Sequence, residues 1–413
     1  MNLLQLFQGI GSLFEAEPMV AVGRVVLIFL GIVLVWLGFK RTLEPLIMIP
    51  MGFGMAAINA GLLVAEFQNI LGLSNIMIAP LAETDGTLEV PMKLLDVMQI
   101  DFLQPIYTLT FSNGLIACLV FMGIGVISDI SPVLKYPFTS MLIALFAELG
   151  TILTFPIAIA MGFSPGAAAS VATIGTADGP MVLFTSLILD KSLFVPITIV
   201  AYLYLSICYG FYPLLVKAMV PKELRAKTIE LRKQDSAVIS QKAKIIFDII
   251  ACTVLCLLFP VAAPLFLSFF LGNAIREAAM PNYKELLEKV FLYAATFFLG
   301  LLLGILCDAN TLLGDPQVLK LLILGFIALG LAAVGGIIGG YVVYGINRKN
   351  YNPAIGVAGV SCIPTTAKIA QHAAHEANKR VIILQYAMGA SVCGVITSAI
   401  LTGLYVTIIL PMV

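Results

Sequence analysis

Apolar runs long enough to cross a lipid bilayer recur along almost the whole chain. A helix of about 20 apolar residues spans the hydrocarbon core. Runs of this kind lie at residues 20–39, 45–65, 102–127, 138–163, 194–216, 245–271, 290–307, 318–344 and 381–411. Only 11% of the 413 residues are charged, which is too few to cover the surface of a soluble fold. The sequence therefore predicts an all-α polytopic membrane protein with about 9–11 transmembrane helices.

The charge balance excludes one further class of function. Lys and Arg together number 23, as do Asp and Glu, so there is no basic excess of the kind that binds nucleic acid. The sequence also contains no Walker loop, so nothing in it indicates a chain that powers itself with ATP. We therefore expect the lipid bilayer, and no nucleic acid, among the surroundings of this protein.

Two further apolar stretches, residues 164–189 and 352–369, are interrupted by Gly, Pro and polar residues. Irregular backbone at membrane depth must be buried in protein or line a wet cavity, because hydrocarbon leaves unpaired backbone groups unsatisfied. Paired broken segments in the two halves of a chain indicate an inverted repeat with a site near the midplane. We therefore predict two broken or re-entrant segments, one in an N-terminal membrane half (1–216) and one in a C-terminal half (245–413).

The connection between these halves, residues 217–244, is rich in Lys and Arg. The positive-inside rule places such a loop in the cytoplasm. It is either a solvated connection or a docking surface for a cytoplasmic partner. The acidic stretch 83–101 has the opposite balance and favours the outer face more weakly, since acidic residues contribute little to orientation.

The first broken segment contains a lone acid, in Thr176-Ala177-Asp178-Gly179-Pro180. A carboxylate in an apolar context is expensive to bury without a partner and indicates a functional site. Helix breaks free carbonyl oxygens, which together with a carboxylate and the Thr176 hydroxyl form a hard oxygen shell suited to Na⁺. The alternative is structural, with the Asp178 side chain capping a helix that begins at Pro180.

The second broken segment runs from Asn352-Pro353 through Gly356 and Ser361 to Lys368. Asn352 is expected to cap a helix that starts at Pro353. Lys368 follows Ser361 by seven residues, about two helical turns, so the two are predicted to share a helix face. The Lys368 ammonium would then compete with Na⁺ or hold an anionic substrate; alternatively it extends to the membrane interface.

At these residues the chain resembles the membrane β subunits of sodium-pumping, biotin-dependent decarboxylases. The resemblance covers nearly the whole chain and rests on the following stretches: Glu44-Pro45 to Gly54, Gly123 to Asp129, Ala177-Asp178-Gly179-Pro180, Gly272-Asn273, and Asn352-Pro353 to Pro364. It implies that a partner brings carboxybiotin to this subunit, where it is decarboxylated with consumption of a proton and export of Na⁺.

The resemblance also implies roles for single residues. The acid of the Asp-Gly-Pro motif, essential for sodium coupling in the family, maps to Asp178, and the family tyrosine maps to Tyr204. The Na⁺ ligands map to Asn352, Gly356 and Ser361, with Thr176 beside Asp178. Tyr202 and Tyr204 could instead belong to an interfacial aromatic belt.

Residues expected to bind carboxybiotin are Asn273, Arg276 and Lys368, although Arg276 could simply pair with Glu277. Two positions depart from the oxaloacetate-type pattern. Lys368 replaces an Arg, which keeps the charge but loses the bidentate geometry, and Ser391 replaces an Asn as a predicted Na⁺ ligand. The Thr176 to Met181 form favours acyl-CoA complexes (glutaconyl-CoA or methylmalonyl-CoA) over oxaloacetate.

The partners implied by the family are a biotin carrier (γ) subunit, a carboxyltransferase (α) subunit and a small δ-type membrane subunit. The resemblance further implies a homo-oligomer within the complex, in a bacterial inner membrane. A second hypothesis is a sodium-coupled secondary transporter, either a carboxylate symporter or a Na⁺/H⁺ antiporter, which would share the broken helices and the buried acid. Co-purification with a biotinylated carrier would favour the decarboxylase.

Overall fold

The computed structural model describes residues 8–62, 106–111, 113–230, 238–309, 312 and 317–412. All regular secondary structure in these residues is helical. The α-helices in chain order are α1 (Gln8–Glu15), α2 (Pro18–Phe39), α3 (Pro45–Ala57), α4 (Leu115–Ile127), α5 (Ser131–Lys135), α6 (Pro137–Ala147), α7 (Leu149–Ala160), α8 (Pro165–Ala172), α9 (Gly179–Leu189), α10 (Phe194–Met219), α11 (Lys222–Arg225), α12 (Gln241–Leu258), α13 (Ala263–Glu277), α14 (Pro281–Glu285), α15 (Leu292–Leu306), α16 (Gln317–Ile346), α17 (Thr365–Ala377) and α18 (Leu384–Ile409). The acidic stretch 83–101 and residues 231–237 of the basic connection lie outside the described residues.

Helices long and apolar enough to cross a membrane confirm the all-α polytopic fold. Five occur among the described residues, at Pro18–Phe39, Pro137–Ala160, Pro281–Leu306, Gln317–Ile346 and Leu384–Met412. A sixth is α10, if its two parts count as one span, because it bends by 56° between Phe194–Cys208 and Gly210–Met219. Pro213 lies inside α10, where it removes a helical hydrogen bond and favours a bend. The predicted total of about 9–11 spans stays a prediction.

Contacts divide the chain into two compact units. One comprises Met1–Ile116 and Ala294–Val318. In it the buried amide of Asn59 donates to Met55 O (2.9 Å) and Cys307 O (2.8 Å) and accepts from Ala309 N (3.1 Å), so a single side chain satisfies backbone groups from separate parts of the chain. The other unit comprises Ala117–Tyr293 and Leu319–Val413 and contains both broken segments. The predicted halves 1–216 and 245–413 stay a prediction.

Within this larger unit, α10 and α16 run side by side in the same direction. The Tyr204 hydroxyl, in the middle part of α10, donates to Leu322 O (2.8 Å) near the start of α16. Farther along, the Tyr341 hydroxyl donates to Met219 O (2.7 Å) at the end of α10. The order of contacts is thus the same along both helices. We therefore use α16 to name two ends of the unit: the end at the N-terminus of α16, and the end beside the basic connection (217–244).

The two broken segments lie at opposite ends of α16: the first enters from its N-terminal end, and the second enters from the end beside the basic connection. Lys320, at its N-terminal end, donates to Met161 O (3.2 Å) just before the first segment, and α10 leaves the first segment at this same end. The second segment begins at the basic connection, where Asn352 donates to the backbone of that connection, and α17, into which the segment continues, ends at the same connection, where Asn378 also donates to its backbone. Each segment is therefore re-entrant, and the two approach each other from opposite ends. An inverted repeat would produce this arrangement; the repeat itself stays a prediction.

Candidate functional site

The first broken segment turns sharply just before its acid. Helix α8 tightens into a 3₁₀ turn at Thr173–Thr176, and Ala177 then adopts a left-handed conformation (φ 54°, ψ 33°). A residue with a Cβ is strained there by about 1–2 kcal/mol, and such strain is concentrated at functional sites. The Thr176 hydroxyl holds the turn, since it donates to Thr173 O (2.7 Å) and accepts from Asp178 N (3.1 Å).

Asp178 begins α9 from the N-cap position. Its carbonyl accepts from Met181 N (3.1 Å) and Val182 N (3.2 Å). The carboxylate makes no cap hydrogen bond of ordinary length to the first turn of the helix, although the Met181 N–H interacts with it, so the structural role as a cap stays a prediction. The partial positive charge of the α9 N-terminus nevertheless favours an anion at this position.

The Asp178 carboxylate is almost fully buried, with 4% of its surface exposed. Its Oδ2 lies 3.4 Å from the Ser361 hydroxyl. Among the described residues its Oδ1 has no hydrogen-bond partner, and no Lys, Arg or His forms an ion pair with it. A buried carboxylate with an unpartnered oxygen is stable only when protonated or when a cation lies against it.

The second broken segment is anchored at its start by Asn352. As predicted, this side chain is a cap: Oδ1 accepts from Ala354 N (3.1 Å) at the start of a 3₁₀ helix, Pro353–Gly359. Its Nδ2 donates to Arg225 O (2.9 Å) and Lys227 O (3.0 Å) in the basic connection. Every polar atom of the Asn352 amide therefore has a partner, and the residue ties the segment to that connection.

Gly356 lets the 3₁₀ helix lie directly on α16. A Cβ at Gly356 would overlap the carbonyl oxygen of Gly336, so only glycine permits this approach of the two backbones. Close packing therefore accounts for a glycine at this position. The predicted participation of Gly356 in Na⁺ binding stays a prediction.

Ser361 joins the two broken segments. Its backbone N–H donates to Thr176 O (3.3 Å), and its hydroxyl donates to the same oxygen at 2.8 Å. A serine hydroxyl has one proton, so donation to Thr176 O leaves its lone pairs free beside Asp178 Oδ2. The Asp178 carboxylate, the Ser361 hydroxyl and the Thr176 backbone thus meet where the two re-entrant segments touch.

The predicted helix face shared by Ser361 and Lys368 is wrong. Residues 360–364 are not helical, and α17 begins only at Thr365. Lys368 lies in the first turn of α17 with an exposed side chain, so it is not part of the buried contact between Asp178 and Ser361. Ser391 is fully buried on α18, with its hydroxyl 3.4 Å from that of Thr366.

Of the two tyrosines, Tyr202 is the one beside Asp178. Its ring packs on Gly179, where a Cβ would overlap it, and its buried hydroxyl has no hydrogen-bond partner among the described residues. Tyr204 instead donates to Leu322 O on α16. Residues two apart on a helix point in different directions, so the sequence alone could not show which tyrosine faces the acid.

Asn273 and Arg276 lie elsewhere, where they cap the C-terminus of α4. Asn273 Nδ2 donates to Ser128 O (2.6 Å), and Arg276 Nη1 donates to Ile127 O (2.8 Å). The expected pairing of Arg276 with Glu277 is present at 3.6 Å. These bonds satisfy carbonyls that a helix end leaves unpaired; the predicted binding of carboxybiotin by these residues stays a prediction.

Comparison with known proteins identifies the class of protein that carries this site. The family model described as the Na⁺-transporting oxaloacetate decarboxylase beta subunit matches residues 23–409. The chain belongs to this family. It is thus a β subunit of a sodium-transporting decarboxylase. Its apolar helices and its bacterial relatives indicate an integral protein of the bacterial inner membrane.

Individual relatives of this β subunit match over nearly the full length of both chains. It is 52% identical to a carboxybiotin decarboxylase of Malonomonas rubra, over 98% of each chain. It is 30% identical to an oxaloacetate decarboxylase beta chain of Haemophilus ducreyi, over 100% of each chain. It is also 30% identical to the methylmalonyl-CoA decarboxylase subunit beta of Propionigenium modestum, over 94% of this chain and 95% of the relative.

In this β subunit the structure brings together only part of the predicted site. Asp178, Thr176 and Ser361 lie together. Ser391 is near the second segment, where its hydroxyl lies beside that of Thr366. Two residues are apart from this site: Asn352 is at the basic connection, and Lys368 is exposed. Sequence reasoning gave no role to Glu148, which is one of several other buried acids. Its signal was present as a charged residue inside the apolar run 138–163.

Proposed function

We propose that this β subunit decarboxylates carboxybiotin carried by a biotin carrier subunit and uses the reaction to export Na⁺, with one proton consumed per decarboxylation. The observation that carries the proposal is the buried Asp178 carboxylate, which has one unpartnered oxygen and lies at the contact of two oppositely oriented re-entrant segments. Such a contact is where a transporter can expose an ion site first to one side and then to the other.

Asp178 is the proposed exchange group. Its carboxylate binds Na⁺ together with the Ser361 hydroxyl and nearby oxygens of the Thr176 turn. A proton can replace Na⁺ on the same carboxylate, because either cation neutralises a charge that is otherwise expensive to bury. The buried Tyr202 hydroxyl, unpartnered among the described residues, supplies a further polar oxygen beside this carboxylate. The resemblance assigns the tyrosine role to Tyr204, whose hydroxyl donates to α16.

Decarboxylation itself breaks the bond between the carboxylate carbon and the biotin ring nitrogen. The electron pair of that bond goes to the nitrogen, which takes up a proton, and CO₂ leaves. Release of a proton from Asp178 as Na⁺ binds would link the two events on one group. Lys368 is the proposed anchor for the carboxylate of carboxybiotin. It is an exposed cation in the first turn of α17, just after the non-helical residues 360–364, and a helix N-terminus also attracts anions.

The proposed complex contains the biotin carrier, a carboxyltransferase subunit and a small δ-type membrane subunit, with more than one copy of this chain. For the substrate of the carboxyltransferase, the Thr176 to Met181 form supports an acyl-CoA rather than oxaloacetate. This preference is tested by supplying the purified complex with methylmalonyl-CoA, glutaconyl-CoA or oxaloacetate and measuring CO₂ release for each.

The coupling is tested in proteoliposomes that contain the whole complex. Radioactive Na⁺ and CO₂ are followed together after substrate is added to the wild type and to Asp178→Asn. We expect the wild type to transport Na⁺ only while CO₂ is released, and Asp178→Asn to lose both. Na⁺-dependent decarboxylation and transport by Asp178→Asn would overturn the proposal, and carboxylate uptake by the chain without its partners would favour the transporter instead.

A further inference from the structure

Glu148 is a second buried acid at membrane depth in the unit that contains Asp178. It lies where α6 ends and α7 begins, inside the apolar helix Pro137–Ala160, and only 3% of its surface is exposed. Among the described residues no Lys, Arg or His forms an ion pair with it. An acid in such a position is costly and marks a functional site by default.

Three hydroxyl groups converge on the Glu148 carboxylate. Thr151 Oγ1 lies 3.0 Å from Oε2, while Thr397 Oγ1 and Ser398 Oγ lie 3.2 Å and 2.9 Å from Oε1. Thr151 belongs to α7, and the other two belong to α18, so two helices build the cluster. Carboxylate and hydroxyl oxygens together form the hard oxygen shell that an alkali cation prefers.

The hydroxyl protons do not suffice for all the acceptors in this cluster. Thr397 and Ser398 each have one proton, yet each hydroxyl also lies within hydrogen-bond distance of Gly394 O, at 3.0 Å and 2.7 Å. When both donate to Gly394 O, their lone pairs face Glu148 Oε1. Oxygens that face one another in this way need either a proton on the carboxyl or a bound cation between them.

The charge of the cluster selects the valence of that group. One carboxylate and three neutral hydroxyls have a net charge of −1, which a monovalent cation cancels. A divalent cation would leave an uncompensated positive charge at membrane depth, which is costly. Thr402, one turn beyond Ser398 on the same face of α18, adds a buried hydroxyl that has no partner among the described residues.

The cluster is next to both broken segments. A Cβ on Gly175, in the turn before Asp178, would overlap the backbone of Gly150 and Thr151, so the start of α7 lies directly against that turn. On the other side, α18 touches the backbone of Ser361 at Gly394, one turn before Ser398. The charges of Glu148 and Asp178 are close enough to interact.

We propose that Glu148, Thr151, Thr397 and Ser398 form a second Na⁺ site, adjacent to the Asp178 site and distinct from it. The inference deepens the proposed function and rests on it for the identity of the ion. Na⁺ bound by Glu148 lies one helical turn along α18 from the contact of the two segments, so it provides a place for the ion before or after it occupies Asp178.

The test measures equilibrium binding of radioactive Na⁺ to the purified complex in nanodiscs. The variants are Glu148→Gln, Asp178→Asn and the double variant Thr397→Val/Ser398→Ala, which keeps the carboxylate but removes two ligands. Thr407→Val is the matched control, because its hydroxyl also donates to the carbonyl four residues earlier on α18 (Gly403 O, 2.7 Å) but its side chain is exposed.

We expect the wild type to bind two Na⁺ per chain, Glu148→Gln and Asp178→Asn to keep one each, and Thr397→Val/Ser398→Ala to weaken one site by at least about tenfold. Thr407→Val should match the wild type. Unchanged binding in both Glu148→Gln and the double variant overturns the second site but leaves the proposed function intact. Loss in Glu148→Gln with no loss in Asp178→Asn supports the second site and contradicts the proposed role of Asp178.

Discussion

The two broken segments solve the same structural problem with different chemistry. The first places a carboxylate, Asp178, after a strained turn at Ala177. The second contributes only neutral groups at the contact, with Ser361 as the link, and its start and the end of the helix α17 that follows it are hydrogen-bonded to the basic connection. The two segments therefore have different roles. The first supplies the carboxylate charge that binds a cation, and the second supplies a neutral hydroxyl oxygen and a backbone held in place by the basic connection.

The largest expected effect comes from removal of the charge in the first segment. Asp178→Asn should lower Na⁺-dependent decarboxylation by at least about a hundredfold, because it removes the carboxylate proposed to bind the cation, which forms no ion pair among the described residues. The rate is measured as CO₂ release by the complex over a range of Na⁺ concentrations. The matched control is Asp190→Asn at the end of the same segment, where Asn can still cap Ser192 and Leu193 and activity should stay normal.

A smaller effect is expected from the second segment at the same contact. Ser361→Ala should raise the Na⁺ concentration for half-maximal activity by about tenfold, since it removes one hydrogen-bonding oxygen beside a carboxylate. The control is Ser268→Ala, a buried serine whose hydroxyl donates to Pro264 O in its own helix (2.7 Å). Equal Na⁺ dependence in both variants would mean that Ser361 only packs the segments together.

Substitution of Asn352 should change the stability of the second segment more than the Na⁺ affinity. Asn352→Ala loses a helix cap and two hydrogen bonds to the basic connection, so it should lower the free energy of unfolding by about 1–3 kcal/mol. Thermal unfolding in nanodiscs measures this. Asn352→Asp keeps the cap but places a buried carboxylate oxygen against two carbonyl oxygens, so it should be at least as destabilising as the alanine variant. If Asn352 were instead a Na⁺ ligand, Na⁺ affinity would fall in Asn352→Ala with little change in stability.

The smallest effect is expected at the exposed end of α17. The hydrogen bond and charge of Lys217 hold the pKa of Glu376 below its usual range, and the two side chains lie 2.8 Å apart. The pair is therefore formed at neutral pH and lost as pH falls through the lowered pKa of the folded state. Because both groups are exposed, Glu376→Gln should leave thermal stability and Na⁺ dependence unchanged at neutral pH. A clear loss of Na⁺ coupling would give this surface a function.

Sequence reasoning identified both broken segments because Gly, Pro and polar residues within apolar runs have few explanations at membrane depth. It identified Asp178 for the same reason, and it predicted the Asn352 cap from the Asn-Pro pair. These signals are local: each depends on residues close together in the chain.

What the sequence could not provide depends on contacts between distant residues. The hydrogen bond from Ser361 to Thr176 O joins positions 185 apart in the chain, and no local pattern predicts it. The helix face assumed for Ser361 and Lys368 failed because α17 begins only at Thr365. Glu148 was passed over because its three hydroxyl partners lie partly on α18, about 250 residues away.

A double-mutant cycle between the two segments tests the central claim most directly. Na⁺ affinity is measured for Asp178→Glu, which keeps the carboxylate, for Ser361→Ala, and for the two changes together. If both side chains hold one ion, the effects should be non-additive, with an interaction energy of at least about 1 kcal/mol. Effects that add to within about 0.5 kcal/mol would contradict the account, because the two segments would then act on Na⁺ independently.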